Sequence, residues 1–213
     1  MIHNMIYLTT LQYIFIILVP IVVILGIFLL IKFPVAHLYQ RVNFNKYVYH
    51  KIYRHVLNND YYLINNYKFS TDEVHFVEID HIVFGEKYIY ICLDRYIEGN
   101  LMGSDTNASL ILLSRNGDKN YLDNPYLALA KSLRQLSSKT GLPTDMMVGL
   151  IIVNDDCKIK IDSKSNQLFL LNRKQLPKLI KTIESRDVAK INAEELDKAV
   201  KILYEQNENK ASN

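Results

Sequence analysis

The residues best equipped for chemistry lie between Val77 and Gly99, in VEIDHIVFGEKYIYICLDRYIEG. Glu78 and Asp80 are two positions apart. On an extended strand that spacing puts both carboxylates on one face. Such a pair is a candidate holder for Mg²⁺, which takes oxygen ligands. His81, next to Asp80, is expected on the opposite face, where a lone imidazole is more often packed or hydrogen-bonded than a base. A second apolar run ends in Leu93-Asp94-Arg95. By alternation Asp94 faces away from Leu93 and Arg95, and only a β-bulge would turn it inward. Cys92 sits in the apolar run and reads as core.

The elements that must position these residues can be read around them. Val74 to Phe84 alternates, with a slip at Ile79, and Gly85-Glu86-Lys87 is a short turn. Tyr88 to Arg95 is nearly all apolar, as a central strand would be. The stretch is therefore expected to be a β-hairpin. Upstream, Val48, Ile52 and Val56 recur at helical spacing within residues 35–57, and Asn58-Asn59-Asp60 ends that helix. Tyr61 to Phe69 is strand-like, and Ser70-Thr71-Asp72 a turn. Downstream, short strands are expected between Gly99 and Gly103 and over Leu110 to Leu113, with a turn at Asn116-Gly117-Asp118. Asn124-Pro125 opens a helix as N-cap and first residue, with Leu129, Leu133 and Leu136 inward and Gly141 past its end. Met146 to Val153 reads as a buried strand, Lys158 to Ile161 and Leu168 to Leu171 as short ones. Two helices follow, the second capped by Asn192 with Ile191 and Leu196 as a hydrophobic staple.

The N-terminal block is different. Asn4 to Ile31 carries no charged residue, and the stretch from Tyr13 is almost wholly apolar. About 20 apolar residues suffice to cross a bilayer. No basic n-region or small-residue cleavage site marks a signal peptide. Residues 11–31 are therefore expected to engage a membrane as a retained helix. No Lys or Arg precedes Lys32, whereas Lys32, Arg41, Lys46, Lys51 and Arg54 follow. The positive-inside rule then puts the rest of the chain in the cytoplasm, below a single-pass span of the cell membrane. The whole chain of 213 residues has a net charge of +3 and two cysteines, Cys92 and Cys157. That permits an anionic partner without demanding one and excludes a disulfide framework or a Cys-based zinc site. Three segments follow: an anchor over 1–34, a domain over 35–157 and a C-terminal extension over 158–213.

Glu78-Ile79-Asp80-His81-Ile82-Val83, the hairpin ending at Gly99, and the Asn124-Pro125 helix start together resemble the nuclease-related domain (NERD) family, which is similar to restriction endonucleases. The resemblance spans roughly residues 45–155 and implies an α/β sandwich around a central mixed sheet, with C-terminal helices added. It also implies Mg²⁺-dependent phosphodiester cleavage by an Asp on one strand and Glu-x-Lys on the next. A Glu in the first helix and a Gln after Asn-Pro complete the pattern. Asp80 matches the Asp. Leu93 stands at the Glu, Arg95 at the Lys and Ala128 at the Gln, while residues 40–46 hold no acid. A leucine cannot ligate a metal, and arginine does not deprotonate to act as a base.

These departures imply a degenerate nuclease-like domain that binds or scaffolds, with nucleic acid as a candidate partner and no cofactor. In that reading Asp80 and Arg95 are vestigial. Lys131 and Arg134 would form with Arg95 a cationic rim for phosphates. The alternatives are an active Mg²⁺-dependent nuclease using Asp80 with Glu78 or another relocated acid, and a structural membrane protein that binds no nucleic acid. Tyr47, Tyr49, Tyr53, Tyr61 and Tyr62 could stack bases, although packing accounts for most tyrosines in a chain holding 15. Lys174, Lys178 and Lys181 read as a solvated helix face.

Overall fold

The structure, a computed structural model, describes residues 2–70, 76–114 and 116–207. The chain forms two compact units, Met1–Asn43 and Phe44–Asn213. The first is the helix α1 (Ile2–Val42). It runs on through Pro34, so the helix end expected there does not occur. Within it, Gln12–Leu29 is apolar enough to cross a membrane, with a mean hydropathy of 2.8. The helix expected over 35–57 is thus two: α1 to Val42, then α2 (Phe44–Asn59).

The second unit is a mixed α/β body. Its main sheet has the order β1 (Tyr62–Ser70), β2 (Phe76–Phe84), β3 (Ile89–Arg95), β7 (Met147–Val153), β9 (Leu168–Asn172). The first three strands are antiparallel, and β7 and β9 join in parallel, which makes the sheet mixed as expected. β3 and β7 are buried along almost their whole length, which explains their unbroken apolar sequences. The turn expected at Ser70-Thr71-Asp72 and the expected strand start at Val74 lie outside the described residues.

A second sheet was not expected. β4 (Asn100–Ser104), β5 (Ser109–Leu113), β6 (Lys119–Asp123) and β8 (Lys158–Asp162) form it in the order β6-β5-β4-β8. β6 is exposed and polar, so it carries no apolar periodicity to announce it. Residues 158–213, read above as an extension, supply β8 to this sheet and β9 to the main one.

Helices cover both faces of the main sheet. α2 and α4 (Leu176–Glu184) pack on one face with Val83, Tyr90, Cys92, Val148, Leu150 and Ile152. α3 (Pro125–Thr140) and α5 (Ala193–Glu205) pack on the other with Ile79, Ile82, Phe84, Ile91 and Leu93. Gly149 lets α3 approach β7: a Cβ there would lie 2.6 Å from the Leu129 side chain. Asn124 caps α3 by accepting from Tyr126 N at 3.0 Å. Its amide nitrogen also donates to the carbonyls of Ser104, Asp105 and Asn107. One buried side chain thereby ties the start of α3 to the β4–β5 turn. At the other end, Glu184 of α4 grips the β2–β3 turn, accepting from Lys87 N at 3.1 Å and from the Tyr90 hydroxyl at 2.8 Å.

Candidate functional site

The hairpin forms as expected, but its alternation does not run straight through Asp80. Ile79 and Ile82 are three apart yet both enter the core beneath α3. The same happens on β1, where Ile64 and Tyr67 share that core. Between them the ladder loses one pair, Asn66 opposite Asp80, and Asn66 takes a left-handed conformation with φ of 50°. On the other side the β2–β3 ladder stops at His81–Cys92. Each strand therefore carries two successive residues on the α2 face: Asn65 and Asn66 on β1, Asp80 and His81 on β2.

The expectation that Asp80 and His81 point to opposite faces is overturned by this slip. The same slip brings Asp80 to the side that Asp94 occupies by ordinary alternation. The Asp94 backbone N–H donates to Asp80 Oδ2 at 2.8 Å. Asn45 of α2 donates to Asp80 Oδ1 at 3.4 Å, and Arg95 Nη1 lies 3.6 Å from Oδ2. Arg95 also donates to the Asp94 carbonyl at 2.7 Å, which holds the guanidinium beside Asp80. Both Asp80 oxygens thus have partners within the protein.

Beneath them lies a buried polar row. His81 joins Asn65 Oδ1 through Nδ1 at 2.7 Å and Asp94 Oδ2 through Nε2 at 3.1 Å. The Asp94 side chain has no exposure. Its Oδ1 is buried without a hydrogen-bond partner among the described residues. Burial raises the Asp94 carboxyl above its ordinary value, against the opposing pull of His81. Burial likewise raises the Cys92 thiol well above its usual range, consistent with a core role and no nucleophilic one.

The other residues singled out in the sequence lie elsewhere. Glu78 is exposed and pairs with Lys68 directly across the β1–β2 ladder. Leu93 is 3% exposed and packs in the core under α3. Lys131 and Arg134 are exposed on α3, whose layer covers the sheet face opposite α2. The structure brings Asp80 and Arg95 together but does not bring Lys131 or Arg134 to them. Among the described residues no group of three His, Cys, Asp or Glu is arranged to hold a metal ion. Sequence reading missed Asn45 and Asn65, and it brought Asp94 toward Asp80 only through a β-bulge turning Asp94, whereas the slip turns Asp80. The three-residue spacings Ile79–Ile82 and Ile64–Tyr67 were the available signal.

A hollow of about 340 Å³ opens beside this cluster, lined by Asn45, Lys46, Tyr49, Asn65, Asn66 and His81. Along α2, Tyr49 stacks on Tyr53 with centroids 5.6 Å apart and planes 27° apart.

A mixed sheet between two helical layers, with a polar cluster at the end of its central hairpin, defines a mixed α/β domain. The sequence profile of the nuclease-related domain matches residues 43–154, more than half the chain, and the chain belongs to the NERD family. No curated protein and no solved structure is similar enough to count as a match.

Proposed function

We propose that this is a membrane-anchored NERD protein whose nuclease-like domain has given up hydrolysis and acts by binding, with nucleic acid as the partner. The observation that carries the proposal is the state of Asp80. The one acid that matches the family pattern accepts hydrogen bonds at both oxygens and faces the Arg95 guanidinium at 3.6 Å. Mg²⁺ dehydrates reluctantly and demands several oxygens in octahedral array. A guanidinium at the carboxylate and a buried leucine at the second acid's place do not fit that ion. A domain so altered still offers polar and aromatic groups to a ligand.

A second reading has its own support. The slip at Asp80 sets Asp94, with its unpartnered Oδ1, on the same side of the sheet. An active site built on this pair would require Asp94 to leave His81. In that case metal-dependent cleavage would depend on Asp94 as strongly as on Asp80.

The anchor is α1, and the α/β body belongs on the cytoplasmic side. The length and hydropathy of Gln12–Leu29 support the span, and the basic residues confined to its C-terminal flank support the orientation. The binding claim is tested with the full chain in detergent and labelled oligonucleotides at low and high salt. Retained binding that weakens with salt supports it. An absence of binding at low salt would leave a structural membrane protein as the reading.

A further inference from the structure

The hollow beside the Asp80 cluster has a chemistry of its own. Three of its six lining side chains, Asn45, Asn65 and Asn66, are carboxamides. Asn45 donates to Asp80, and Asn65 meets His81 through Oδ1. What these two direct at a ligand is therefore the other end of each amide, the Asn45 carbonyl and the Asn65 N–H. This uncharged acceptor and donor suit the edge of a heterocyclic base better than a metal ion. One wall is Tyr49, stacked on Tyr53, a residue that is 42% exposed. The Tyr49 ring also approaches His81, the buried residue at the back, with centroids 6.3 Å apart. Lys46 also lines the hollow, exposed and with no ion-pair partner among the described residues. These features are a stacking surface, an uncharged hydrogen-bonding pocket and one ammonium, all on α2 and the β1–β2 slip.

We propose that this hollow receives one unstacked base of single-stranded nucleic acid. Tyr49 carries the stacking, its ring backed by Tyr53, and Lys46 meets a backbone phosphate. The proposal rests on the binding reading above and names the form of nucleic acid and the groups that hold it. Duplex DNA keeps its bases stacked and paired, so it is the weaker ligand.

The test measures fluorescence anisotropy of the full chain in detergent with a labelled 12-nucleotide oligo(dT) and with a duplex of the same length. The expected result is tighter binding of the single strand. Tyr53→Ala and Tyr49→Leu should each weaken it by roughly five- to a hundredfold. Neither should change the slope of log affinity against log salt, whereas Lys46→Ala should reduce it by about one. Tyr53 lies at the surface, so its variant keeps the test open if Tyr49→Leu fails to fold. Single-strand binding within twofold of wild type in the tyrosine variants would overturn the pocket and leave the binding reading standing. No binding of either oligonucleotide at low salt would overturn both.

Discussion

Asp80 and Leu93 decide how this domain is read, and they do so for different reasons. Asp80 is engaged by its neighbours, while Leu93 is buried in the core. Placing an acid at Leu93 would not be simple. Leu93→Glu would put a carboxylate among Ile79, Ile91 and Leu129. We expect it to cost more than about 3 kcal/mol, measured by chemical denaturation, because no partner there offsets the desolvation. Arg95 is 48% exposed, so Arg95→Lys should change stability by less than about 1 kcal/mol. Asp94 supplies a pH test. Its folded carboxyl is raised by burial from the ordinary 3.8, so the folded chain keeps that proton longer than the unfolded chain. Stability from this group is therefore present at low pH and is lost as pH rises through the folded value. Glu184, also raised by burial, acts with the same sign. Asp94→Asn should remove the first contribution, and denaturation midpoints followed upward from pH 4 should then fall less steeply than in wild type. A parallel fall would mean that Asp94 is not held protonated by its surroundings.

At the scale of elements, the sequence was legible wherever apolar periodicity was strong. The Asn124 cap, the Gly141 stop, β3 and β7 all sit where their residues foretold. β6 escaped because its residues are polar and exposed, and a strand on a sheet edge needs no buried face. The site was half legible. Asp80 and Arg95 do meet, but the slip shared by β1 and β2 depends on two strands adjusting together, and neither sequence alone shows which side the extra residue takes. Two substitutions probe what holds the elements in place. Gly149→Ala would drive a methyl into Leu129, and we expect a loss of about 1–3 kcal/mol by denaturant titration. Asn124→Ala removes the α3 cap and three bonds to the β4–β5 turn. A loss of about 2 kcal/mol or more is expected, with faster amide exchange in that turn.

For the whole molecule, the chain joins an apolar helix suited to a bilayer to a NERD body in which Asp80 is already engaged. The orientation proposed above predicts that protease added to intact cells leaves the body whole and that protease added to inverted vesicles digests it. Digestion in intact cells would reverse the orientation. The central claim, binding without hydrolysis, meets its most direct test in a cleavage assay. The full chain in detergent is incubated with labelled single- and double-stranded DNA and RNA, with Mg²⁺ and separately with Mn²⁺. Asp80→Ala and Asp94→Asn are run beside it. We expect intact substrate in every lane, with no difference between wild type and either variant. Metal-dependent products from wild type that vanish in Asp80→Ala would contradict the account, and their loss in Asp94→Asn as well would identify the second acid.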